Sequence, residues 1–139
     1  MKRKVIALLL ALVSLFSLGI CSSAYNGNNT VSPYYLYTSK AESKLSITNG
    51  VASCKSKLTG YVYLTTKIEA TQYLEKKNGT SWETTIDRTW SDSTNSYILS
   101  MSNSKSNLSS GTYRLRTVFT VYSGTKSESI ESLSDEITI

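Results

Sequence analysis

The residues able to do chemistry are carboxylates, a cysteine and a scatter of aromatics. Glu69, Glu75, Glu83 and Asp87 fall within one predicted hairpin, and Glu128, Glu131, Asp135 and Glu136 stand near the end of the chain. Two carboxylates facing each other across a cleft can hydrolyse a glycosidic bond. A compact sandwich has few long loops from which to build that cleft, so solvated strand faces are the simpler assignment. The terminal acidic group offers hard oxygen ligands for calcium, but without the Asp-x-Asp-x-Asp-Gly spacing of a calcium loop. The chain has no histidine. That removes the commonest general base, the usual metal ligand and every Ser-His or Cys-His nucleophile. Zinc has no ligand set without histidine and with cysteine so scarce, and no Gly-rich phosphate loop is present. The expectation is a non-enzyme with no catalytic residue, cofactor or metal.

Cys54 alternates with Ala52 and Ser56, a pattern that suits a small core side chain; the competing reading is a reactive thiol or an intermolecular disulfide. Aromatics can stack on sugar rings or anchor protein partners. Tyr34, Tyr35 and Tyr37 cluster early, and Tyr61 and Tyr63 follow Gly60. Tyr73 and Tyr122 fall on predicted outer faces and are the candidate contact surface. Trp82 and Trp90 share a predicted core face, which gives Trp82 a structural role.

The elements that must position these residues follow an N-terminal segment of a different kind. Lys2, Arg3 and Lys4 precede an uncharged apolar run from Val5 to Ile20, and Ser22-Ser23-Ala24 supplies small residues. This is the pattern of a signal peptide over residues 1–24, followed by a leader over 25–33 and one domain over 34–139. The apolar run is shorter than the ~20 residues of a membrane span. Release is therefore expected, with retention by an uncleaved signal or lipid attachment at Cys21 as alternatives; Ile20 is large for a lipid-attachment motif. Removing residues 1–24 leaves 12 basic against 10 acidic residues, so the +5 of the full chain is largely a targeting feature and gives no sign of nucleic-acid binding. Cys54 is then the one remaining cysteine, and no internal disulfide can form.

Short apolar alternations separated by Asn, Gly and Ser predict an all-β protein. Strands are expected near 35–38, 45–48, 51–58, 67–76, 81–88, 97–101, 112–122 and 127–139. Asn49-Gly50 predicts a type I′ turn that pairs Ile47 with Ala52 and Leu45 with Cys54 on the core face. At Asn78-Gly79 a two-residue loop of Asn and Gly would split the apolar residues between faces. A three-residue loop with Gly79 at positive φ sets Leu74 against Trp82 and Ala70 against Ile86, and that register is preferred. It also places Glu69 opposite Asp87, which is unfavourable. Tyr113, Leu115, Thr117, Phe119 and Val121 share one face of a late strand, and Arg114 and Arg116 the other. Ile130 and the set Leu133, Ile137 and Ile139 differ in parity, which predicts a bulge between Glu131 and Ser134.

Tyr113 follows Leu108-Ser-Ser-Gly111-Thr and looks like the tyrosine corner of immunoglobulin-like sandwiches, where the hydroxyl bonds to upstream backbone. The expected fold is a single immunoglobulin-like antiparallel β-sandwich of about seven or eight strands. Ala52-Ser-Cys54, Thr59-Gly60-Tyr61, Leu74-Glu-Lys-Lys77, Trp82, Trp90, Gly111-Thr-Tyr-Arg114 and Thr120-Val-Tyr-Ser-Gly124 together resemble a group of small secreted proteins of Gram-positive anaerobic bacteria that share a domain of unknown function. That resemblance carries over no catalytic or binding residue. The functional expectation is an exported non-catalytic binding module for a glycan or protein at the cell surface. Assembly through sheet edges is the alternative, and a carboxylate-based glycan-acting enzyme a remote one.

Overall fold

The computed structural model describes residues 34–139; the segments expected as signal peptide and leader, Cys21 among them, lie outside the described residues. Among the described residues nine strands form two antiparallel sheets: β1 (Thr38–Thr48), β2 (Val51–Gly60), β3 (Lys67–Asn78), β4 (Ser81–Glu83), β5 (Thr89–Thr94), β6 (Ile98–Lys105), β7 (Thr112–Ser123), β8 (Lys126–Leu133) and β9 (Ile137–Thr138). The smaller sheet has the order β1-β2-β6. In the larger sheet β3 and β7 are central, β4 and β5 follow one another along the free side of β3, and β8 and β9 along that of β7.

The first hairpin follows its sequence. Asn49 and Gly50 both have positive φ, 51° and 72°, as a type I′ turn requires. Ile47 pairs with Ala52 and Leu45 with Cys54. Ala52 and Cys54 are fully buried, and Leu45 and Ile47 pack half-buried against them. Burial pushes the Cys54 thiol up to about 12, so it stays protonated and enclosed and cannot act as a reactive surface group. The strands expected near 35–38 and 45–48 give way to one, β1. Its inward positions Ala41 and Ser43 are too small and polar to register as an apolar alternation.

The second hairpin departs from expectation. Gly79 has positive φ, 59°, but Asn78 pairs with Ser81, so the loop is the two residues Gly79-Thr80, with glycine at the first position as in type II′ turns. Trp82 therefore stands opposite Lys77 rather than Leu74, on the outer face. The chain then leaves the sheet: Ile86–Arg88 form a 3-10 turn, and pairing resumes with Thr89 opposite Tyr73 and Trp90 opposite Gln72. Trp90 points inward and packs against both parts of the core, whereas Ile86 is 90% exposed. The expected register assumed one unbroken strand from Ser81 to Arg88. The excursion adds three residues to the register and so puts the two tryptophans on opposite faces. Glu69 faces Ser93 and Asp87 pairs with Lys105 at 2.6 Å, so the repulsion between them never arises.

The third hairpin turns through Gly124-Thr125, since Ser123 pairs with Lys126. Tyr113, Leu115, Thr117, Phe119 and Val121 are buried, as their alternation requires. The Tyr113 hydroxyl donates to the Ser109 carbonyl at 2.7 Å, a bond to backbone four residues upstream. The irregularity at the C-terminal end exists but sits further on than expected. β8 stays in register to Leu133, which is exposed, and the one-residue slip falls between Leu133 and Ile137.

The core has two apolar parts. One is built on Leu58, Ile68, Phe119, Val121 and Ile130, the other on Cys54, Leu74, Tyr113 and Leu115. Between them in sequence on three strands stand buried polar residues: Ser56 between Cys54 and Leu58, Gln72 between Ala70 and Leu74, and Thr117 between Leu115 and Phe119. Gln72 donates to Ser56 at 2.7 Å, Ser56 and Thr117 share a hydrogen bond at 2.7 Å, Ser43 donates to Thr117 at 2.9 Å, and Asn103 donates to Gln72 at 2.8 Å. Buried polar atoms are costly unless paired, and here each finds a partner on another strand.

Candidate functional site

The outer face of the larger sheet gathers the side chains best suited to contact a partner. Odd-numbered residues of β3 and even-numbered residues of β7 point outward, because their neighbours fill the core. Antiparallel pairing then sets Tyr73 beside Arg116 and Glu75 beside Arg114. Glu75 is only 5% exposed and accepts from Arg114 Nε at 2.7 Å and Arg116 Nε at 2.6 Å. Each guanidinium lies over an aromatic ring: Arg116 at 4.3 Å from the centre of Tyr73, Arg114 at 4.2 Å from that of Trp82. Lys77 lies 5.4 Å from the Trp82 ring, and Glu131 accepts from Arg116 at 3.4 Å. A guanidinium close to a ring face is attracted by the ring quadrupole, and the shared carboxylate fixes both guanidiniums laterally.

Trp82 thus finds its environment on the outer face, against expectation. Tyr73 and Tyr122 both lie on the outer face but not together. Tyr73 is opposite Arg116 and Tyr122 opposite Lys67, six residues apart along the strands, or about 20 Å at ~3.4 Å per residue. Tyr122 belongs to a separate group. Its hydroxyl donates to Glu69 at 2.9 Å, and Lys67 lies 5.3 Å from its ring centre. That hydrogen bond raises the phenol above its ordinary pKa, and the Glu69 carboxyl is lowered, first by Lys67 and then by Tyr122. Sequence reasoning placed Arg114 and Arg116 outward but missed Glu75 as their common partner. Glu75 in Leu74-Glu-Lys-Lys77 looks like any solvated carboxylate until its strand is paired with β7. Gly79 and Tyr113 take structural places, one in a turn and the other in the core.

The remaining carboxylates are dispersed. Glu83 accepts from Asn78 at 2.8 Å, and Glu136 from Lys77 at 3.3 Å. Glu128 accepts from the backbone N–H groups of Leu36 and Tyr37 at 2.8 and 2.9 Å, pinning the segment before β1 to β8. The Lys105 ammonium, with help from Thr85, lowers Asp87 to about 2. Among the described residues no three of His, Cys, Asp and Glu gather as metal ligands would, and no helix is long and apolar enough to cross a membrane.

No family model and no curated protein matches the chain. Among solved structures, the solution structure of CsgH from R. palustris is similar at a TM-score of 0.40 and 10% identity, covering 69% of this chain and 90% of that one.

Proposed function

We propose that this protein is an exported, non-catalytic binding module that engages a glycan or protein at the cell surface through the outer face of its larger sheet. The observation that carries the reading is the stack of Tyr73, Arg116, Arg114 and Trp82 held by Glu75. Tyrosine, tryptophan and arginine dominate interface hot spots. Side chains already locked by a shared carboxylate lose little further freedom on binding. Export is supported by the charged and apolar pattern of residues 2–24. The immunoglobulin-like type is supported by the Tyr113–Ser109 corner bond. Purified protein applied to a glycan array and to intact bacterial cells should be retained by one ligand class. The Tyr73→Ser/Trp82→Ser variant should bind that class at least tenfold more weakly. Absence of retention, or equal binding by a folded variant, would sink the proposal.

A specific observation favours assembly through an edge as the second reading. β6 is an edge strand of the smaller sheet, and from Ile98 to Ser104 it carries neither charge nor proline. The opposite edge, β1, is guarded by Lys40, Glu42 and Lys44. Unprotected edges accept added strands. Light scattering should then show mass growing with concentration, and Ser102→Pro should abolish the growth, because proline removes a donor from the edge. A wild-type mass that stays monomeric at all concentrations excludes this reading.

A further inference from the structure

The larger sheet carries its outward charges in matched sets, and the smaller sheet does not. Alternation turns Lys40, Glu42 and Lys44 of β1 and Lys55 and Lys57 of β2 to solvent, with Ser100, Ser102 and Ser104 of β6 beside them. Register places Lys44 directly opposite Lys55, and Lys57 opposite Glu42. Glu42 is already taken, since Lys40 holds its carboxylate at 2.7 Å. Among the described residues Lys44, Lys55 and Lys57 make no ion pair. Like charges directly opposite on neighbouring strands repel, so the Lys44–Lys55 pairing does nothing for the stability of the isolated fold.

A second, independent observation points to a ligand. The three lysines, with Glu42, Ser100 and Ser102, line a concavity of ≈ 530 Å³ that Met101, Leu133 and Asp135 also line, so its cations outnumber its carboxylates by three to two. Ser100 stands across from Lys57 and Ser102 across from Lys55, so each of these ammonium groups has a hydroxyl beside it. At the outward positions of these three strands the cations are all lysines, compact point charges with rotatable donors. Ammonium and hydroxyl donors suit the oxygens of a phosphate. Those positions also carry no aromatic side chain, and hence no platform on which a nucleic-acid base could stack.

We propose that this groove binds a linear polyol phosphate, a polymer of phosphodiesters without bases, whose charges relieve the repulsion between Lys44, Lys55 and Lys57. The site is distinct from the aromatic stack, which lies on the outer face of the other sheet. Glu42 is held below its ordinary pKa chiefly by Lys40, and to a smaller extent by the charges of Lys44 and Lys57.

The test is a titration of the purified protein with poly(glycerol phosphate). Neutralising three lysines at ~0.7–0.9 of a counterion each predicts a fall in affinity of roughly 20–40-fold between 50 and 200 mM salt. Lys44→Gln/Lys55→Gln should lose at least tenfold in affinity at the lower salt while its Tm equals or exceeds that of the wild type, because the repulsion is gone. Lys126→Gln, on a distant hairpin, should bind as the wild type does. Absence of saturable binding, or undiminished binding by the double lysine variant, overturns the proposal. Equal affinity for oligothymidylate or heparin of matched charge overturns it too, since the groove would then read charge without regard to phosphate or polymer.

Discussion

Glu75→Gln is expected to lower stability by about 2–3 kcal/mol, because it leaves two guanidiniums facing a neutral amide. Breaking a fully buried ion pair by removing one partner costs ~3–5 kcal/mol. Here the carboxylate is 6% exposed but the two guanidiniums are 20% and 26% exposed, so water compensates part of the loss. For a domain of this size the deficit corresponds to a fall in Tm of roughly 10–20 °C, readable by thermal unfolding. The cause is the stranded charge rather than the missing contact. Replacing Glu75, Arg114 and Arg116 together by methionine should therefore cost less than Glu75→Gln alone. A single variant within about 0.5 kcal/mol of wild type, the size of an ordinary surface substitution, would mean that water already screens the cluster. The stack would then lose its claim to be fixed before binding.

Gln72→Ala is expected to cost about 2–4 kcal/mol, combining a cavity with unpaired polar atoms. Gln72 is fully buried and is the link between Ser56 on β2 and Asn103 on β6. Its truncation leaves the Ser56 hydroxyl with Thr117 and Ser43 only and turns the Asn103 amide loose. Removing its three buried members with Ser56→Ala, Gln72→Leu and Thr117→Val should cost less than Gln72→Ala alone, since only the half-buried Ser43 and Asn103, which water can reach, then lose their partners. Denaturant titration with an unchanged slope checks both values. If the triple variant proves as unstable as Gln72→Ala, the layer is a net source of stability. If it matches the wild type in stability but loses dispersed NMR signals, the layer selects one packing of the sheets.

Where one strand and its turn contained all the information, the sequence read correctly. Asn49-Gly50 can take positive φ at both positions, and the apolar residues flanking it agree with that turn, so the hairpin, its register and the burial of Cys54 follow from ten residues. The five inward positions of β7 and the corner role of Tyr113 were legible for the same reason, as was the outward direction of Tyr73, Arg114 and Arg116. What the sequence could not decide is where a strand stops. Nothing between Ser81 and Arg88 forbids an extended chain, so a period of two carried Trp82 and Ile86 into the core. In the fold the chain leaves the sheet after Glu83; Trp82 lies against two cations on the outer face, and Trp90 fills the interior instead. The same limit applies to every feature that belongs to two or more strands at once. Glu75 is buried because two arginines of β7 close over it, Gln72 is satisfied because two other strands bring it partners, and Lys44 faces Lys55 because the first hairpin sets them opposite. Alternation along one strand tells which way a side chain points; only the pairing of strands and the packing of sheets tells what it meets there.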